Sequence, residues 1–327
     1  MSLLQVCSVS LQEEGNTALQ DISFTQEEFQ KIVIAGETGS GKSTLLQIIA
    51  GLVQPSAGKV LLNNERVEGP AEKLVPGHPE IAYLSQQFEL PQFLRVEQVL
   101  RYANTLSDEE ADTLYEVCRI SHLTKRRTNQ LSGGERQRIA MAKLLISWPR
   151  LLLLDEPFSN LDTAHKSILK AVIHDIGETM GITCMLVSHD PLDTLSWADE
   201  LLVLKDGKII QKGSPKEIYR QPIDAYTAAL FGKYNLVRIA QAKDFTLIPG
   251  VELKKESMLI RPESFRIVVQ DNQALKGTVE DVSFFGSYSE VQVALSEVTV
   301  TVKTGMHDIA KGDTVYLTFS ADDVWYL

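Results

Sequence analysis

Residues 31–51 read KIVIAGETGSGKSTLLQIIAG, and this stretch decides the fold. Lys31 to Ala35 is an aliphatic run suited to a buried strand, and Lys42 to Gly51 carries apolar residues at helical spacing. Between them stands Gly36-Glu37-Thr38-Gly39-Ser40-Gly41-Lys42-Ser43, then Thr44, which fits the phosphate-binding loop pattern in full. The residue types have a physical reason. Glycines let successive backbone N–H groups wrap phosphate oxygens, and the helix that starts there adds the positive end of its dipole. Lys42 supplies a point charge to the phosphates, and the Ser43 hydroxyl reaches Mg²⁺. A plain glycine-rich turn is the alternative, and the strand before it and helix after it count against that.

Outward from the loop, short apolar runs alternate with longer helical stretches. Strands are expected over Ile81–Leu84, Arg150–Leu154, Ile182–Val187 and Leu201–Lys205, and helices over Val96–Leu106, Asp108–Cys118, Glu135–Ser147 and Thr163–Thr179. Leu3 to Phe24 resembles an antiparallel pair. Such alternation predicts an α/β fold whose largely parallel sheet is covered on both faces. Beyond the 230s the pattern changes to short alternating strands, from Met258–Ile260 to Thr314–Phe319, which predicts a small all-β barrel or sandwich. The domains are therefore expected at 1–235, with a helical insert at about 87–131, and 236–327.

Composition narrows the function. The 327 residues include 43 Asp plus Glu against 32 Lys plus Arg, a net charge of −11. An acidic chain lacks the basic face that nucleic acid requires, and it does not favour direct docking on an anionic membrane. Cys7, Cys118 and Cys184 are scattered, so neither a zinc site nor a disulfide framework is expected, and a reducing compartment fits. The opening MSLLQVCSVSLQEEG has no basic start and no long apolar core, so no secretory signal is expected there. No apolar run approaches the roughly 20 residues that span a bilayer. A membrane role must then come through a partner.

Two further segments carry chemistry. Leu151 to Asp155 is four leucines ending in a carboxylate, the position that holds Mg²⁺ in phosphate-loop enzymes, and Glu156 follows with the reach to polarise a water. Leu131-Ser132-Gly133-Gly134-Glu135-Arg136-Gln137 opens a helix with a serine and two glycines, a second phosphate-binding nest. With this run the chain resembles the nucleotide-binding subunit of ABC transporters, whose signature it is. The fold class that the resemblance implies is a P-loop NTPase (ABC ATPase) domain with helical insert, followed by a small all-β OB-like barrel.

The resemblance also assigns roles. Ser132, Gly133 and Gly134 would cap the γ-phosphate of ATP held by the opposite subunit of a homodimer. Gln86, in the segment 82–88, would touch Mg²⁺ and the attacking water, with adjacent Gln87 as the alternative. Ser159 to Asp162 resembles the loop that crosses the dimer interface, and His189 the switch histidine at the γ-phosphate, with Glu156 as general base. One departure is plain: the family's adenine-stacking aromatic has no counterpart in Ser10 to Gly15 (SLQEEG), so adenine is expected to rest on apolar contacts or on another residue. Tyr115, Trp148 and Trp197 are read as packing residues.

The tail adds a weaker resemblance. Residues 258–263 (MLIRPE), 277–279 (GTV), 285–287 (FGS) and 323–325 (DVW) are similar to the TOBE-type accessory barrel of importer ATPases. The two resemblances together imply an ATPase on the cytoplasmic face of the membrane, powering solute import through integral-membrane permease subunits and, indirectly, a solute-binding protein. The apolar entry Phe88 to Val96 (FELPQFLRV) would receive the permease, or fill the insert's own core, or both. The alternative is a soluble regulatory or non-transport ABC-type ATPase.

Overall fold

The computed structural model describes every residue except Met1, Glu14, Phe88, residues 102–105, Asn160 and Lys255. Parts of four sequence expectations therefore lie outside the described residues: the end of the Val96–Leu106 helix, Phe88 of the apolar entry, Glu14 of the aromatic-free stretch and Asn160 of the interface loop. The chain separates into two compact units, Met1–Pro215 and Lys216–Leu327.

In the first unit the elements run β1 (Ser2–Glu13), β2 (Asn16–Glu27), β3 (Ile32–Ala35), α1 (Lys42–Ile49), β4 (Ala57–Leu62), β5 (Glu65–Arg66), β6 (Ile81–Leu84), α2 (Val96–Arg101) and α3 (Asp108–Val117). They continue with α4 (Gly133–Leu145), β7 (Leu151–Asp155), α5 (Thr163–Met180), β8 (Thr183–Val187), α6 (Pro191–Thr194), β9 (Glu200–Lys205) and β10 (Lys208–Gly213). Six strands form one sheet in the order β10-β9-β3-β8-β7-β6, parallel apart from the antiparallel edge strand β10. Every residue of β3, β7 and β8 is buried, which explains why these strands read as unbroken apolar runs rather than alternating ones. A second, antiparallel sheet runs β2-β1-β4-β5 and includes the expected opening pair. Its inward residues, among them Leu4, Leu19 and Ile22, pack with Ile34, Leu46 and Leu153 in one core.

Local chemistry sets the helix ends. Ser132 caps α4 and Asp162 caps α5, each side chain accepting a backbone N–H three residues on. Gly181 ends α5 in the left-handed conformation. Trp148, expected as a packing residue, instead takes positive φ after α4 and is 40 % exposed. Among the described residues no helix is long and apolar enough to cross a membrane.

The second unit carries α8 (Ala225–Leu230), which follows α7 (Pro215–Arg220), and then β11 (Asn235–Val237), β12 (Met258–Ile260), β13 (Arg266–Val268), β14 (Leu275–Phe284), β15 (Ser289–Ala294), β16 (Thr299–Thr304), β17 (Thr314–Thr318) and β18 (Val324–Tyr326). They form a three-stranded sheet, β11-β12-β18, and a five-stranded one, β13-β17-β14-β15-β16, around one apolar core. The compact unit begins at Lys216, where the change of sequence pattern put the border at 235/236. Arg261 is the reason. The residue is 4 % exposed, and its guanidinium lies 4.1 Å from the Tyr219 ring centroid and donates to the carbonyls of Tyr219, Ala228, Gly232 and Lys233. Trp325 Nε1 likewise donates to Pro222 O at 2.9 Å. The helical stretch is thereby tied to the β-strands that follow it.

Replacing Arg261 with Ala leaves several buried carbonyls without donors and should cost on the order of 3 kcal/mol. Arg261→Lys should recover little, because an ammonium cannot span the fork of acceptors. Urea unfolding of the two variants against the parent chain measures both effects.

Candidate active site

Ligand sites in sheets of this kind lie outside the carboxyl ends of the strands, and three neighbours deliver their ends together. Val187 of β8 pairs with Ile34 of β3 on one side and with Asp155 of β7 on the other. Ser188 N donates to Ile34 O at 3.4 Å, and Glu156 N to Val187 O at 3.0 Å. The loop after β3, the carboxylate that ends β7 and the segment carrying His189 thus leave the sheet at one level.

The phosphate loop runs from Gly36 to Lys42 and opens α1. Gly41 takes φ 100° as the N-cap, and a Cβ there would lie 2.8 Å from Leu19 Cδ2 and 2.9 Å from Ala18 O, so both space and backbone demand glycine. Lys42 is 6 % exposed and donates to its own loop, to Gly36 O at 2.8 Å and Glu37 O at 2.6 Å. Burial lowers its pKa, against the opposing pull of Glu156, Asp155 and Glu37. Glu37, Thr38, Gly39 and Ser43 are exposed, while Ser40 is buried under the loop.

Asp155 is 4 % exposed, and burial pushes its pKa up; Glu156 acts in the same direction. Two donors oppose the shift: Ser43 Oγ to Oδ1 at 3.0 Å and Tyr83 OH to Oδ2 at 2.9 Å. The fold brings together Ser43 and Asp155, both expected at the Mg²⁺ site, and adds Tyr83, which the sequence had not singled out. Tyr83 is the third residue of a four-residue strand, and only the pairing of β6 with β7 aims it at the carboxylate. Two hard oxygen donors, one on exposed Ser43 and one on buried Asp155, meet where a hard cation such as Mg²⁺ would fit.

Glu156 sits at φ 46°, a left-handed conformation that costs a non-glycine residue about 1–2 kcal/mol. Its neighbours hold it there: the amide bonds Val187 O, and Ser159 Oγ donates to its carbonyl at 2.8 Å. Strain maintained in this way is typical of functional turns. The side chain is 17 % exposed, with Oε1 at 3.1 Å from His189 Nδ1. Gln86 lies exposed two residues beyond β6, and among the described residues no hydrogen bond joins it to Asp155 or Glu156.

Ser132, Gly133 and Gly134 open α4 on the same unit. Ser132 and Glu135 form a reciprocal capping box, so Ser132 also serves as the ordinary N-cap of its helix. The glycines add more. A Cβ on Gly134 would lie 2.9 Å from the His165 ring, which itself meets the Asp162 carboxylate at 2.8 Å. Asp162, from the expected interface loop, is thus the cap of α5 as well. Gln137 Nε2 donates to Pro157 O, linking α4 to the turn beyond Glu156. A cleft of about 810 Å³ opens beside the signature, lined by Glu89, Leu90, Gln92, Asn129, Gly133 and Arg136. Of the described residues of the apolar entry only Val96 is buried, Leu90 and Leu94 are half-buried, and Phe93 is 65 % exposed.

A family profile described as ABC transporter matches residues 19–159, and one described as TOBE domain matches residues 258–327. The Fe(3+) ions import ATP-binding protein FbpC of Pseudomonas fluorescens is 32 % identical, the alignment taking in 96 % of this chain and 95 % of that protein. The spermidine/putrescine import ATP-binding protein PotA of Spiroplasma citri is 30 % identical over 99 % and 97 % of the two chains. The solved structure of cbiO1 from Clostridium perfringens, part of the ABC transporter complex cbiONQ, aligns with a TM-score of 0.58 at 26 % identity, over 67 % of this chain and 90 % of that one. The ADP conformation of another ABC transporter cassette aligns at 0.60 over 71 % and 98 %, and at 24 % identity it speaks to the fold. Fold and site together define an ATPase of the ABC class with a C-terminal TOBE-type β-domain. The chain belongs to the family of ABC transporter ATP-binding subunits.

Ionised Asp155 is disfavoured in the folded state. Its raised pKa means that stability is lost as pH climbs from the usual carboxylate value, about 4, through the folded value. Asp155→Asn should therefore melt higher than the parent at neutral pH, with the gain vanishing below about pH 4; thermal melts across pH check this. Tyr83→Phe removes one donor to the carboxylate and should cost about 1.5 kcal/mol in urea unfolding.

Proposed function

We propose that this chain is the ATP-hydrolysing subunit that powers solute import through an ABC transporter complex, by ATP-driven closure of a homodimer. The observation that carries this is the shared register that brings Ser43, Asp155, Glu156 and His189 to the ends of three adjacent strands. Two relatives across nearly the full chain are named as import ATP-binding proteins, and the β-domain belongs with them. Their solutes differ, Fe(3+) in one and spermidine or putrescine in the other, at similar identity to this chain. The cassette therefore serves as a motor, and solute choice falls to the permease and its solute-binding protein.

Lys42 closes the phosphate loop on its own carbonyls in this arrangement, and ATP binding exchanges those contacts for the β- and γ-phosphates. Ser40 N donates within the loop to Glu37 O at 3.2 Å, and the other backbone N–H groups between Gly36 and Thr44 would donate to phosphate oxygens. Ser43, Asp155 and Gln86 would hold Mg²⁺, which when bound offsets phosphate charge. Glu156 accepts the proton of the water that attacks the γ-phosphate, and His189 steadies that phosphate while its other nitrogen faces Glu156. Ser132, Gly133 and Gly134 of a second copy close the site from the opposite side, which is why one chain forms only half of each site. Catalysis is then mainly positioning and charge stabilisation. Closure would be passed to integral-membrane permease subunits received at the insert's apolar entry, whose residues Glu89 to Gln92 line the 810 Å³ cleft, and the chain would then work at the cytoplasmic face of the membrane.

Glu156→Gln should lower ATP hydrolysis by roughly 10²- to 10⁴-fold. The same variant should trap ATP and run as a dimer in light scattering only when ATP is present. Unchanged hydrolysis would remove Glu156 from its role, and a monomer with bound ATP would remove the two-chain site.

A further inference from the structure

His189 presents a mechanical problem. Its side chain is 62 % exposed, so packing does not fix the ring, yet Nδ1 lies 3.1 Å from Glu156 Oε1. Something else must hold the segment that carries it. The next residue, Asp190, is bound at both oxygens: Oδ1 accepts from Leu192 N at 2.9 Å, and Oδ2 meets Lys166 Nζ at 2.5 Å. Its own amide donates to Ser188 Oγ at 3.2 Å. Three residues on, Asp193 is 1 % exposed and holds Lys166 Nζ at 2.7 Å and Lys170 Nζ at 2.9 Å.

Lys166 and Lys170 stand one turn apart on α5, so both ammonium groups project from one face. That helix is a firm base. Leu169, Val172, Ile173 and Ile176 are buried in the core, and Asp162 caps its first turn. Lys170 also donates to Leu192 O at 3.2 Å and lies 5.7 Å from the Phe158 ring centroid, next to the Glu156 turn. A cleft of about 200 Å³ is lined by Glu156, Ser159, Lys166, Ser188, His189 and Asp190. Without the ammonium between them, Asp190 and the buried Asp193 would repel, and a desolvated carboxylate would lose a partner.

We propose that Lys166 is a positioning residue for hydrolysis: bridging Asp190 and Asp193, it locks the segment that sets His189 against Glu156. Both carboxylates already engage its charge-assisted bonds, so it acts through His189 rather than on phosphate. The proposal rests on the role given to His189 above.

The test is a double-mutant cycle in the full-length chain, reading kcat and KM for ATP hydrolysis and Kd for ATP. Lys166→Met should lower kcat roughly 10- to 100-fold, the range expected when a reacting group is misplaced, with KM and Kd unchanged. Lys166→Arg should recover part of the loss, since a guanidinium can still bridge two carboxylates. In a His189→Ala background, Lys166→Met should cause no further loss. An additive loss in that background overturns the clamp while leaving His189 in place, as does unchanged kcat or a loss confined to KM. Full activity in His189→Ala alone overturns the role of His189 and the clamp with it. If Lys166→Met gives no cooperative melt, Asp190→Asn, which keeps the helix-capping acceptor and removes the charge, runs the same cycle with the same expected non-additivity.

Discussion

Val187 pairs with Ile34 on one side and Asp155 on the other, and the chemistry of the first unit depends on that shared register. Three buried parallel strands end at one level, and each hands on a different functional segment. A slip of one residue in β7 would turn Asp155 to the opposite face of the sheet and replace it by leucine or glutamate. β7 resists such a slip because all of its residues are buried, and a shift in either direction would draw Arg150 or Asp155 into a position now packed by leucine. Specificity of register here is a packing effect, and the site inherits it.

Function is placed at a cost to stability. Asp155 is a desolvated carboxylate partnered by two neutral hydroxyls, and Glu156 occupies a backbone conformation that β-region or helical residues avoid. Lys42 is buried with its charge turned onto carbonyls of its own loop. Each feature is disfavoured by itself: a bound cation would offset the desolvation of Asp155 and a phosphate that of Lys42, while the strain at Glu156 is carried by the bonds around it. A site arranged in this way holds its groups oriented before the substrate arrives, which is where electrostatic catalysis gains its advantage.

The signature segment shows how a structural role and a functional one share residues. Ser132 caps α4, and Gly134 lets the His165 ring of α5 approach. The first turn of α5 therefore touches the signature through His165 and the His189 segment through Lys166. One helix end spans the two half-sites that a dimer would bring to different nucleotides.

Much of this was legible in residue order. The phosphate loop lies between a strand and a helix that can be read locally, and Leu151 to Asp155 is a strand whatever surrounds it, because its chemistry is contiguous. The same holds for LSGGERQ, for the alternating strands of the tail, and hence for the family. Tertiary structure alone decided what depends on distant residues meeting: Tyr83 on Asp155, Lys166 between two aspartates, and Arg261 gathering four carbonyls so that the second compact unit starts near Lys216 instead of 236. Lone tyrosines, lysines and arginines have many possible partners, and no local pattern marks the ones that a fold will pair. Motifs are local because loops and strand ends are short; clamps and borders are long-range because buried charge is satisfied by whatever packing brings near.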